Sequence, residues 1–285
     1  MGREHQAREL ADRLPPLLVA AERIAATVAA GAHGRRRTGP GETFWQFRRY
    51  QPGDSAASID WRQSARGERL FVRETEWAAA QTVWLWCDGS ASMAWRSDRE
   101  LCEKRERAQL LALALAALAL RGGERVATLG GGMPPASGGG TLARLARVLA
   151  DCGGAPPAGG PPRHGEAVLF SDFLMPLETL ESLVRGLAAN GTAGHLLQVL
   201  DPAEETLPFT GRIRFTGLEG EGDTLVRRAE DLRGAYAQRL AAHRDGLAAI
   251  ARAFGWSFAV HHTDQPPQAA LLALHVQLST PGRRP

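Results

Sequence analysis

The stretch TVWLWCDGSASMAW, residues 82–95, constrains this fold more than any other. Its first half, VWLWC, is apolar at consecutive positions and lacks the polar alternation of a half-solvated strand. It therefore reads as a strand buried on both faces, the situation found in the parallel sheet of an α/β protein. The run stops abruptly at Asp88, and Gly89, Ser90, Ala91 and Ser92 follow. In an open α/β sheet, ligands gather beyond the carboxyl ends of the strands. An aspartate and two alternating serines thus stand where binding chemistry is expected.

The pattern downstream agrees with that fold class. A helix is expected over about 99–120, then strand RVATLG, helix TLARLARVLADC, strand AVLFSD, helix LETLESLVRGLAAN and strand HLLQVLD. Strands separated by helices of this length imply right-handed crossovers within one mostly parallel sheet. The most apolar window, LLALALAALAL at 110–120, is flanked by KRERAQ and RGGER. It is far shorter than the ~20 residues that span a bilayer, so it reads as a buried core helix. The Gly/Pro-rich run 152–165 reads as a surface loop. Beyond Pro202 the sequence predicts a hairpin in GRIRFTGLEGEGDTLVRRAE, a long helix over 232–254, strand WSFAVHHT and a final helix.

Ahead of residue 81 the texture differs. Residues 7–31 carry an irregular helical stripe of Leu10, Leu14, Leu17, Leu18, Ile24 and Val28, which Pro15 and Pro16 are expected to break or restart. That stripe is too apolar to leave in water and should pack on the body. A basic Gly/Pro linker follows, and 43–75 suits short strands and turns, with QPGD as a type II-like turn. Arg48, Arg49, Arg62, Arg66 and Arg73 lie among Asp54, Asp60, Glu68 and Glu74, a pattern that favours internal ion pairs. The expected organisation is a helical segment at 1–33, a β-rich segment at 34–80, the α/β unit at 81–202 and an α/β extension at 203–285.

Charge and cysteine usage narrow the function classes. Thirty-four Lys and Arg nearly balance 31 Asp and Glu, so no whole-molecule field argues for nucleic acid. Three cysteines match neither a disulfide framework nor a metal knuckle, which favours a reducing compartment. The N-terminus has no signal-peptide core. A cytoplasmic protein with no stable membrane insertion is expected.

Asp88, Ser90 and Ser92 offer one carboxylate and two hydroxyls to a single point, a hard-oxygen set that suits Mg²⁺ or Mn²⁺. A second strand-end carboxylate, Asp172, closes AVLFSD and completes a plausible octahedral set with water. The alternative for each is helix capping at a strand-to-helix turn. His261 and His262 adjoin Asp264, but neighbours on a strand point to opposite faces and do not readily share a ligand. Cys87 reads as core. No G-x-S-x-G, H-E-x-x-H, Walker A or G-x-G-x-x-G string stands at a suitable strand end.

CDGSASM followed by a helix, with SDF at a later strand end, resembles the von Willebrand factor type A domain and its metal-ion-dependent adhesion site. Upstream, FWQFRRYQPGDSAASIDWRQSARGERLFVRE resembles the signature of the bacterial domain of unknown function 58 family, in which R-x-Y-x-P-G-D, I-D-W-R and A-R-x-x-x-L precede a D-x-S-x-S-M. The resemblance implies a von Willebrand factor A-like, Rossmann-like α/β fold: a mostly parallel sheet flanked by helices, with a β-rich N-terminal extension. It implies metal ligands at Asp88, Ser90, Ser92 and Asp172. The family's middle-loop threonine, often in G-x-T-D-L, has no such string here, and Thr141 in GGGTLARL is the nearest substitute. Family members commonly occur beside MoxR-type AAA+ ATPases, which implies such a partner.

Three functions are consistent with these residues. The first is a non-enzymatic interaction module whose cation is completed by a partner's carboxylate, working with the ATPase in chaperone-like assembly or maturation. The second is a metal-free scaffold with a degenerate site. The third is a Mg²⁺-dependent hydrolase built on Asp88 and Asp172.

Overall fold

The computed structural model of the chain describes residues 3–31, 44–50, 59–65, 67, 69–75, 81–154, 165–220 and 222–279. Five parallel strands form the central sheet: β3 (Thr82–Cys87), β4 (Arg125–Thr128), β5 (Glu166–Ser171), β6 (Ala193–Leu200) and β9 (Ser257–His262), in the order β4-β3-β5-β6-β9. VWLWC is an interior strand, with β4 on one side and β5 on the other. Residues 203–285 are not set apart from the sheet, because β9 pairs along the outer edge of β6.

Both faces of the sheet are covered, which explains the unbroken apolar strands. Val83, Leu85 and Cys87 pack with Val168, Phe170, Leu197 and Val199 against α1 (Arg3–Gly31), α3 (Lys104–Arg121), α4 (Thr141–Ala150) and α8 (Pro267–Ser279). The alternate residues Trp86, Ala167, Leu169 and Leu196 pack on the other face against α5 (Leu177–Ala189) and α7 (Arg233–Ala253). The two-residue period of a strand thus divides one apolar run between two cores.

Helix α3 is apolar around most of its circumference because it lies beneath other helices as well as on the sheet. Leu111, Leu113, Leu115 and Leu118 are all buried, and α1, α4 and α8 pack around them. Helix α1 docks through Ala21, Ile24, Ala25 and Val28. Burial of a large aliphatic side chain contributes about 1.5–3 kcal/mol, so this short stripe suffices to hold the helix down. The break expected at Pro15 and Pro16 does not occur, and α1 runs through both prolines. The docked residues lie C-terminal to the prolines, so tertiary packing outweighs the local helix-breaking preference.

Two antiparallel ribbons lie outside the main sheet. β1 (Phe44–Arg49) pairs with β2 (Phe71–Thr75), and the short α2 (Trp61–Ser64) between them is capped by Asp60, whose carboxylate accepts from Gln63 N at 2.8 Å. β7 (Ile213–Thr216) pairs with β8 (Asp223–Val226) as the expected hairpin. The QPGD turn, Asp54, Arg66, Glu68, the side chains of Arg48, Arg73 and Glu74, and most of the Gly/Pro-rich run fall outside the described residues.

Candidate functional site at the strand ends

The direction of chain progression across the sheet reverses between β3 and β5. Strand β4 lies on one side of β3, whereas β5, β6 and β9 follow on the other. Crossover helices α3 and α4 cover one face, and α5 and α7 the other. Such a reversal opens a crevice at the carboxyl ends of the two strands, and Asp88 and Asp172 stand there, one residue beyond β3 and β5.

The loop after β3 is shaped by close backbone approach. Asp88 N continues the ladder to Phe170 O at 2.9 Å, and Gly89 N donates to Gly153 O at 3.3 Å. A Cβ at Gly89 would lie 1.8 Å from Cys152 O, and one at Gly154 would lie 2.7 Å from Ser90 Cα. The segment leaving α4 therefore presses on the D-G-S loop backbone to backbone, and only glycine fits at the contact. Ser90 N folds back to Asp88 Oδ1 at 2.8 Å.

The side chains form one connected network. Ser171 Oγ donates to Asp88 Oδ2 at 2.6 Å and accepts from Phe173 N at 2.9 Å. Phe173 holds a left-handed φ of +50°, a conformation that costs a non-glycine residue about 1–2 kcal/mol. It is held there by that bond, by full burial of its ring and by the contact of its carbonyl with His243 Nε2 at 2.7 Å. Ser92 Oγ donates to Asp172 Oδ2 at 2.7 Å, and Ser90 Oγ lies 3.0 Å from Ser92 Oγ. Because the single Ser92 hydroxyl proton is committed to Asp172, Ser90 is the donor in the second bond.

A residue that sequence reasoning passed over completes the network. Lys104, at the start of α3, is 0% exposed. Its ammonium donates to Asp172 Oδ2 at 2.9 Å and to Glu204 Oε1 at 2.5 Å. Burial works against the charge, but Asp172 and Glu204 more than offset it and move the lysine pKa upward, so Lys104 is a cation at neutral pH. Glu204 is positioned by the capping box of α6 (Pro202–Thr206). There Asp201 N donates to Glu204 Oε2 at 2.9 Å, and Asp201 Oδ2 accepts from Ser97 N at 2.8 Å. Burial also pushes the Asp88 carboxyl above its ordinary value, with hydrogen bonds from Ser171 and Ser90 opposing the shift.

The residues present fit a divalent cation of the hard-oxygen class. Two cis ligands of an octahedral ion with bonds of about 2.1 Å stand about 3 Å apart, and the two serine oxygens are 3.0 Å apart. The Lys104 ammonium contacts Asp172 and Glu204, whereas the Asp88 carboxylate accepts from Ser171 Oγ and Ser90 N. Among the described residues no three His, Cys, Asp or Glu side chains converge as a metal cluster, so an ion here would depend on the hydroxyls and water. The structure brings Asp88, Ser90, Ser92 and Asp172 together and leaves Thr141 apart. Thr141 opens α4, whose opposite end leads into the Cys152–Gly154 segment on the loop, and a ten-residue helix spans about 15 Å.

The sequence held one signal for the missed residues, since D-P-A-E at 201–204 spells a capping box with proline at its first helical position. Lys104 had none, because within KRER it resembles any solvated helix start. The adjacent histidines do diverge as expected. His261 Nε2 lies 3.2 Å from Arg107 Nη1, whereas His262 pairs with Glu205.

The family model described as "Protein of unknown function DUF58" matches residues 46–246. Uncharacterized protein Rv1480 of Mycobacterium tuberculosis and Uncharacterized protein Mb1516 of Mycobacterium bovis are each 31% identical over 258 residues, spanning 84% of this chain and 80% of the relative. Among solved structures, the conserved hypothetical protein BatB from Bacteroides thetaiotaomicron has a TM-score of 0.41 at 14% identity. An aerotolerance-related membrane protein from Bacteroides fragilis has a TM-score of 0.43 at 16% identity. Each alignment covers 70% of this chain and 99% of the other. Among the described residues no helix is long and apolar enough to cross a membrane.

Proposed function

We propose that this chain, which belongs to the DUF58 family, is a non-enzymatic, cytoplasmic protein-interaction module of von Willebrand factor A-like type. Its binding face is the crevice at the carboxyl ends of β3 and β5. Ser90, Ser92, Asp88 and Asp172 would hold Mg²⁺ or Mn²⁺, and the ion would supply a coordination position for a carboxylate from the partner. The observation that carries this reading is the pair of serine hydroxyls 3.0 Å apart, partly exposed and linked to buried aspartates. The partner proposed is a MoxR-type AAA+ ATPase, and the task is chaperone-like assembly or maturation. The test is co-purification with such an ATPase from the same organism. Association should weaken with EDTA and with Asp88→Ala while thermal unfolding stays cooperative. A complex indifferent to both would remove the cation from the mechanism.

A second reading, a metal-free scaffold, is favoured by one observation: the Lys104 ammonium already sits on Asp172 Oδ2. Here the lysine acts as the resident cation and the face binds through hydrogen bonds alone. Isothermal titration with Mn²⁺ separates the two, because the scaffold should give no saturable heat.

A further inference from the structure

The β7–β8 hairpin is not part of the main sheet, yet its tip reaches the candidate site. The tip, residues 217–222, reads GLEGEG. It is closed by Gly217 N donating to Gly222 O at 2.8 Å, and Gly220 and Gly222 adopt φ of +98° and +81°, left-handed values that glycine takes without strain. The base is anchored by Ala229 N to Gly211 O at 2.9 Å and by Gly211 N to Glu230 Oε2 at 2.8 Å. At the tip, Glu219 Oε1 accepts from Ser92 N at 3.3 Å, across 127 residues of sequence. A carboxylate of the chain itself is thus set against the last serine of the D-G-S-A-S loop. Leu218 precedes it and Leu174 follows the Asp172 turn, and both side chains are about half exposed.

We propose that the hairpin is an intramolecular strap in which Glu219 occupies the position that an acidic segment of a partner protein takes. The inference rests on the reading of this face as a carboxylate-binding site and adds its regulation. The free chain shields its own loop, and a partner must supply a carboxylate that displaces Glu219. Exposed Leu174 and Leu218 would flank that segment, so the fitting partner sequence is a glutamate or aspartate beside apolar residues. Tethering makes the internal competitor effective, since a group held on a short connection acts at an effective concentration of roughly millimolar. A weak single hydrogen bond can therefore block equally weak free carboxylates.

The experiment compares the full chain with its Glu219→Gln variant by amide hydrogen exchange, limited proteolysis and Mn²⁺ calorimetry, using an acetylated peptide with one glutamate between leucines as the acidic probe. Glu219→Gln should leave the melting temperature unchanged. It should speed exchange at the Ser92 amide several-fold, open the 217–222 tip to cleavage and raise the affinity for the peptide at least threefold. Exchange and cleavage identical to the parent would overturn the strap, even if Mn²⁺ binds both proteins. Altered exchange with no Mn²⁺ heat in either protein would keep the strap and remove the cation.

Discussion

The Lys104 ammonium stands 2.9 Å from Asp172 Oδ2, although the two residues are 68 positions apart and belong to the start of α3 and the end of β5. Both are almost fully buried, so neither charge has water to fall back on. Loss of one partner from a buried ion pair costs about 3–5 kcal/mol because the other is left uncompensated. Lys104→Met should therefore lower the urea midpoint sharply. Adding Asp172→Asn to Lys104→Met should recover part of the loss. Additive losses in the double variant would mean that the pair is not coupled.

Cation binding should separate the site residues. Asp88→Ala removes a buried carboxylate at the centre of the network and should abolish most Mn²⁺ affinity in calorimetry. Thr141→Ala should leave affinity within about twofold, because Thr141 lies at the other end of α4. Equal losses would return Thr141 to the coordination shell.

The contact between Gly89 and Cys152 sets a steric test. A methyl group at 89 would meet a backbone carbonyl oxygen at 1.8 Å, and overpacking of this kind costs about 1–3 kcal/mol or more. Gly89→Ala should lower the melting temperature and displace the serine loop. Gly186→Ala, inside helix α5 with nothing within 4 Å of the added Cβ, should instead stabilise by about 0.5–1 kcal/mol.

Acid sensitivity should come from two buried histidines. His195 and His261 are each lowered to about 4, His195 by burial and His261 by burial together with Arg107. Their unfolded values lie near 6.5. The unfolded chain therefore takes up protons first, and the stability that neutral histidines contribute is present above about pH 6.5 and lost as the pH falls toward 4. Urea midpoints measured across that window should fall steeply, and His261→Gln should flatten the slope. A parent midpoint that does not change between pH 7 and 4.5 would contradict the assignment.

Much of this architecture is written locally in the chain. VWLWC and AVLFS declare buried parallel strands by unbroken apolarity, the 110–120 run declares a core helix, and a polar stop at Asp88 or Asp172 marks a strand end. These signals depend only on near neighbours and on the periods of helix and strand. D-G-S-A-S likewise marked the loop, because glycine and alternating hydroxyls at a strand end are a local pattern. The prolines of α1 misled for the same reason, since the packing of Ile24 and Val28 that holds the helix is tertiary.

The sequence points to Asp88 and Asp172 as one site, but only the strand order supplies the reason that their strand ends meet. The reversal between β3 and β5 brings Asp88 and Asp172 into one crevice, and that follows from the side of β3 on which each crossover lands. Thr141 opens α4 at the end away from the loop, because the direction in which α4 runs past the sheet is a property of the whole fold. Lys104 is the clearest case. A lysine in KRER is a solvated helix start by every local criterion, and it becomes a buried cation because β5 and α6 deliver Asp172 and Glu204 to it. Local sequence set the strands, helices and loop chemistry, whose energies are short-ranged. Tertiary structure decided the electrostatics of the site, because a buried charge is tolerable only where distant residues arrive to neutralise it.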